Sequence, residues 1–103
     1  MNQLETQYHN AMIKTYEDAL RDCNYRATAF LHMVLEYGGV ETARRLLVSS
    51  QAQSGLYELF TCGRLDLTVE AKVVSLEFQS LFTEEELAEA RRRLKALNYK
   101  GSL

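Results

Sequence analysis

The sequence predicts an all-α fold: a compact orthogonal bundle of five or six helices headed by a long N-terminal one. Three observations predict it. Apolar side chains recur at steps of three and four along most of the chain, the period of one helix face. Those stripes stop at Gly38-Gly39 and at Gly63, where a residue without Cβ can take the positive φ that ends a helix. No segment alternates apolar and polar residues with period two, so a lone strand would have no partner. The 103 residues are read as a single domain, with a long helix over 1–23, a compact helical body over 24–97 and a frayed tail over 98–103.

The first stripe runs through Leu4, Tyr8, Ala11, Met12, Tyr16, Ala19, Leu20 and Cys23, opposite a polar face of Glu5, Asn10, Lys14 and Asp18, and Asn24 ends it. A second helix spans Arg26 to Tyr37, with Phe30, Leu31, Val34 and Leu35 inward and Gly38 as its stop. The third begins near Val40, turns Val40, Ala43, Leu46 and Leu47 inward, and sets Glu41 four residues before Arg45, the charge order that suits the helix dipole. Ser49 to Ser54 is a loop. It leads to a short helix over Gly55 to Cys62 that buries Leu56, Leu59 and Phe60 and ends at Gly63.

Asp66 or Thr68 caps a fifth helix through about Val74. Its β-branched residues leave a strand over Lys72 to Leu76 as the competing reading, which the absence of a partner strand disfavours. Thr83-Glu84-Glu85-Glu86 is a capping box, the hydroxyl accepting from the third amide while Glu86 reaches back. It opens a helix to about Leu97 with Leu87, Ala90, Leu94 and Leu97 inward. Arg91, Arg92, Arg93 and Lys95 fall in the second half of that helix, where cations suit the dipole.

Composition bounds the function classes. With 47% apolar and 25% charged residues the chain is an ordinary globular mixture, which excludes wholesale disorder. A net charge of -2 gives no general attraction to phosphate, so nucleic-acid binding requires a local basic patch. No apolar run approaches a membrane span, and Met1 to Glu5 lack a signal-like pattern, so no membrane association is expected. Cys23 and Cys62 lie far apart outside any Cys-x-x-Cys pair, and are expected as two reduced thiols in a cytoplasmic protein.

No constellation gathers into a reactive site. His32 and Glu36 share a helix face but supply only two metal ligands, and no second pair completes a set. Cysteine-histidine catalysis would need Cys23 or Cys62 beside His9 or His32, and an enzymatic reading needs Cys62, His32 and Asp66 in one pocket. Asp66, Glu70 and Glu77 could form a carboxylate cluster, but Asp66 also serves as a cap, with Glu70 on an exposed face. The glycines fit no phosphate-binding frame. No cofactor, metal or catalytic residue is therefore assigned.

Two surfaces remain as candidates. The helix, double glycine, helix arrangement from Arg26 to Leu47 has the outline of a helix-turn-helix, although Glu41 would then face phosphates. Arg91, Arg92, Arg93 and Lys95, joined by Arg44, Arg45 and Arg64, could form a patch for nucleic acid or an acidic partner. Tyr8, Met12 and Tyr16 lie along one stripe of the first helix, either in the core or as an interface that an isologous homodimer would cover.

The wording of several segments is specific: Tyr25-Arg26-Ala27-Thr28, Tyr37-Gly38-Gly39-Val40-Glu41-Thr42-Ala43, Gly55-Leu56-Tyr57-Glu58-Leu59, Gly63-Arg64-Leu65-Asp66-Leu67-Thr68-Val69-Glu70, and Leu81-Phe82-Thr83 with Glu86, Arg93 and Leu94. In these the chain resembles a small helical module of bacterial proteins that occurs alone and fused to nuclease-type or restriction-type domains. Tyr57 stands where that module has tryptophan, and Ser75 where it has proline. The resemblance implies a non-enzymatic protein-interaction or adaptor module, an accessory to nucleic-acid-processing or phage-defence proteins. It marks Gly63-Arg64-Leu65-Asp66-Leu67-Thr68 as the segment of most interest, with a purely structural corner, Asp66 capping a helix and Arg64 pairing nearby, as the other reading. Nucleic-acid binding through the arginine patch is the alternative.

Overall fold

Asn2 starts the first helix with a capping box: its side chain accepts from the Glu5 amide at 2.8 Å, and the Glu5 carboxylate accepts from the Asn2 amide at 3.4 Å. The computed structural model describes residues 2–49 and 53–99. Among them are six α-helices and no strand: α1 Gln3–Cys23, α2 Thr28–Tyr37, α3 Gly39–Val48, α4 Gln53–Thr61, α5 Val69–Val74 and α6 Glu84–Ala96. Single 3-10 turns at Leu65–Leu67 and Gln79–Leu81 lead into and away from α5. The expected all-α fold with its long first helix is what forms. Much of the expected loop over 49–54 and of the tail over 98–103 lies outside the described residues.

Local signals explain most of the boundaries. Asn24 ends α1 in the left-handed region at φ 52°, and Thr83 and Glu86 form both bonds of the expected box at the start of α6. Thr68 caps α5 by accepting from the Ala71 amide at 3.1 Å, so the valines of 69–74 are helical, as read, and Asp66 is released from capping.

The two glycines at the α2–α3 corner serve different needs. Gly38 takes φ 87° and ψ 162°, backbone essentially reserved for glycine. Gly39 is needed for space, because a Cβ there would lie 2.7 Å from the Cα of His9, where α3 crosses α1. The Gly39 amide also donates to His9 Nδ1 at 3.1 Å. Since the obstacle is backbone, it cannot swing aside as a side chain would. Gly39→Ala is expected to cost about 2 kcal/mol or more and to lower the thermal midpoint by roughly 10 °C; an unchanged melt followed by circular dichroism would refute that close crossing.

The main core draws on α1, α2, α3, α5 and α6. Tyr8 and Met12 are fully buried in it with Val34, Ala43, Val73, Ala90 and Leu94. The Tyr8 ring meets Phe78 and Phe82 edge-on, at centroid distances of 5.0 and 5.3 Å. This decides the stripe of the first helix: Tyr8 and Met12 are interior and unavailable as an interface, while Tyr16 is half-buried. A second, smaller cluster of Ala19, Leu59 and Leu67, with Cys23 and Tyr25 against it, is what anchors α4. Two expected core positions face outward instead, Leu35 at 63% exposure and Phe60 at 45%.

Two further expectations are corrected. Cys23 and Cys62 are not free thiols but a disulfide, with Cα atoms 5.8 Å apart, joining the ends of α1 and α4. The thiol argument for a reducing compartment falls with it. Glu70, expected on an exposed face, is 4% exposed and bonded to the equally buried Arg93 at 2.9 Å. No described helix is long and apolar enough to cross a membrane.

Candidate functional site

Most of the arginines singled out for an open basic patch are engaged within the chain. Arg44 donates to the Leu81 carbonyl at 2.9 Å and pairs with Glu86 at 3.3 Å. Arg92 grips Glu89 through two bonds of 2.8 and 2.6 Å. Arg93 leaves the surface altogether, reaching Glu89, Glu70 and the carbonyls at the end of α3. Glu89, held between two guanidiniums, has its carboxyl lowered to about 2, chiefly by the bond from Arg92. Arg91 is half-buried and has an interaction of its own, and Lys95 is exposed.

Arg64 and Asp66 form a corner clamp. The Arg64 guanidinium takes Asp66 in two bonds of 3.0 Å and spans 42 residues to Asp22 on α1. Hydrogen bonds from Arg21 and Arg64 hold the Asp22 carboxyl well below the usual carboxylate range, and the Arg64 bonds lower the Asp66 carboxyl as well. Together with the adjacent disulfide, this clamp moors the C-terminal end of α4 to the C-terminal end of α1.

The enzymatic constellation does not assemble. Cys62 is bonded to Cys23 and offers no thiolate, Asp66 is bound by Arg64, and His32 is exposed on α2. Among the described residues no group of three or more His, Cys, Asp or Glu could hold a metal ion.

What the structure does build is a cleft. Because α4 is anchored through the small cluster and its C-terminal moorings, a space of about 700 Å³ opens between it, the second half of α1, α2 and the end of α3. Leu56, Leu59, Leu67 and Ala19 are its buried aliphatic lining, and Phe30, Met33 and Leu46 add half-buried apolar surface. Gly55 allows α4 to start over Tyr25, whose hydroxyl would lie 3.3 Å from a Cβ there. Tyr16, Tyr25 and Tyr37 bring aromatic rings into the lining. Burial, reinforced by Glu58, raises the Tyr25 hydroxyl above its ordinary value, so it stays protonated and able to donate.

Arg45 completes the rim. Its guanidinium lies over the Tyr37 ring at 3.8 Å from the centroid, while Nε donates to Glu41 at 3.1 Å. Of the residues expected to interact with a partner, only Tyr16 and Arg45 line this cleft; Asp66 lines a smaller hollow beside Phe60 and Tyr99. The sequence reading missed Tyr25, Arg26, Met33 and Tyr37 as site residues. Their one signal was the run of small residues at Ala27 and Ala29, which leaves the N-terminal part of α2 without bulk beside the cleft.

The fold and cleft together define a small α-helical protein with a preformed apolar recess and an aromatic, cationic rim. Comparison with family models, curated proteins and solved structures finds no match to the chain.

Proposed function

We propose that this chain is a non-enzymatic protein-interaction module that seats an apolar segment of a partner in the cleft between α4 and the α2–α3 pair. The observation that carries this reading is the cleft itself: about 700 Å³ of mostly apolar lining, rimmed by exposed Tyr37 and Arg45. Tyrosine and arginine are favoured at protein interfaces, and a concave apolar recess gives a partner's anchor side chains somewhere to go. The likeness to modules fused to nuclease-type or restriction-type domains supports an accessory role beside nucleic-acid-processing or defence proteins, and a bacterial cytoplasmic setting rests on that likeness as well. Direct nucleic-acid binding has less support, since Arg44, Arg64, Arg92 and Arg93 each hold a carboxylate of this chain.

Ala29 is exposed and lines the cleft, so Ala29→Trp fills the recess without disturbing the core. Peptides selected from a random displayed library against the wild-type protein are expected to bind Ala29→Trp at least tenfold more weakly. They should bind Glu17→Ala, altered at an exposed position outside the cleft lining, with unchanged affinity. Selected peptides that ignore the Trp substitution, or a library that yields none, would overturn the proposal.

A further inference from the structure

We infer that the segment seated in this cleft is an amphipathic helix whose polar flanks carry carboxylates; the inference rests on the cleft being the protein-binding site and names its occupant. The charge of the lining is the first argument. Among the described residues three charged side chains line it: Arg26, Arg45 and Glu70. Glu70 is buried and bonded to Arg93, so the charges that face an incoming segment are the two exposed arginines. Glu41 offsets part of the Arg45 charge, so Arg26, whose side chain has no acidic partner among the described residues, is the uncompensated cation at the cleft mouth. Glu41, which pairs with Arg45, and Glu58, which acts on Tyr25, are not among the lining residues.

Both arginines also keep donors in reserve. The Arg26 side chain makes no hydrogen bond or ion pair among the described residues, its backbone carbonyl accepting from the Thr28 amide. Arg45 uses Nε on Glu41 and its face on Tyr37, leaving both Nη groups unbonded among the described residues. A guanidinium placed over a ring, with both Nη groups open, is arranged to take a carboxylate.

The walls supply the second argument. Most of the lining lies on helices or a helical turn, with the α1–α2 linker residues Tyr25, Arg26 and Ala27 and the single residues Ser49 and Thr68 between them, and no strand edge exists among the described residues for an extended peptide to pair with. Of the recurrent modes of peptide recognition, an apolar helix face laid in a groove is the one that needs only side-chain contacts with an aliphatic floor such as Leu56, Leu59 and Leu67.

The test uses four fluorescein-labelled peptides and fluorescence anisotropy at low and moderate salt. One is an amphipathic helix with leucines at i, i+3, i+4 and i+7 flanked by glutamates; the second has lysines for the glutamates; the third carries a central proline that breaks the helix; the fourth scrambles the apolar spacing. The acidic helix is expected to bind at least tenfold more tightly than the other three, and R26E/R45E to reverse the preference toward the lysine peptide while Ala29→Trp abolishes both. Equal binding of the acidic and lysine helices, or of the proline peptide, overturns the inference while leaving the cleft as a protein site. Binding of none overturns it too, and displayed peptides blocked by Ala29→Trp would then show the broader reading to survive. Sedimentation that shows a wild-type dimer dissolved by Ala29→Trp would place a second copy in the cleft and overturn it as well.

Discussion

Arg93→Leu is expected to lower the thermal midpoint by about 15 °C or more, the loss of 3–5 kcal/mol that follows when a buried ion pair is left with one partner, taken at roughly 4–8 °C per kcal/mol. The reason is how many groups one guanidinium satisfies. Nε donates to Glu89 at 2.7 Å, Nη1 to Glu70 at 2.9 Å and the Leu46 carbonyl at 3.2 Å, and Nη2 to the Leu47 and Ser49 carbonyls at 2.9 and 3.3 Å. All five N–H donors are therefore in use. Three of the acceptors are carbonyls at the end of α3, where the helix does not continue to supply amides, although Leu46 also accepts from the Ser49 amide, so α6 caps α3 through this side chain.

Leucine would strip the buried Glu70 carboxylate of its Arg93 donor and remove the guanidinium donors from the end of α3, at a desolvation penalty that apolar packing cannot offset. Lysine keeps the charge but offers three donors from a point, so Arg93→Lys is expected to fall between wild type and Arg93→Leu. The decisive comparison is a double variant. Arg93→Leu with Glu70→Leu removes both charges and should melt above Arg93→Leu alone, because the isolated carboxylate is gone. Calorimetry in which Arg93→Leu melts within about 3 °C of wild type, less than 1 kcal/mol on the same scale, would show that the guanidinium does not hold α3, α5 and α6 together.

That network also marks where sequence reasoning ended. Helix positions were readable because their signals are local: the Thr83–Glu86 box, the Gly38 and Gly63 stops, and the three-and-four spacing all act within a turn or two. The pairing of Glu70 with Arg93 spans 23 residues, and nothing near Glu70 distinguishes a buried carboxylate from a solvated one. Arg91, Arg92 and Arg93 read alike as neighbours in a basic run, yet a step of 100° around α6 sends Arg93 inward and leaves Arg92 exposed. The cleft was hidden for a related reason. It is the space left by how α4 sits against α1, α2 and α3, so no short segment encodes it, although Leu46 and Phe30 were correctly placed on apolar faces. Capping at Asn2 and the crossing at Gly39 had readable parts, a cap-type residue three before Glu5 and a second glycine beyond the one that stops α2.

Reduction of the disulfide is expected to lower the unfolding free energy by about 4 kcal/mol, the loop entropy released when a cross-link enclosing some forty residues is opened. The link joins positions 39 residues apart, Cys23 at the end of α1 and Cys62 just past α4. Native protein should take up no iodoacetamide, and protein reduced in urea should take up two equivalents. Urea titrations with and without a phosphine reductant would then give midpoints separated by that difference, and Cys23→Ser with Cys62→Ser should track the reduced protein and ignore the reductant. Two accessible thiols in the native protein, or coincident midpoints, would remove the cross-link from the account. Its loss should also be felt unevenly. Among the described residues the main core contains none of α4, so α1, α2, α3, α5 and α6 keep their packing, while α4 is left to the small cluster of Ala19, Leu59 and Leu67 and the Arg64 clamp on Asp22. Amide exchange in the reduced protein is therefore expected to rise first across α4, and with it the affinity of the cleft for any seated helix should fall before the rest of the molecule unfolds.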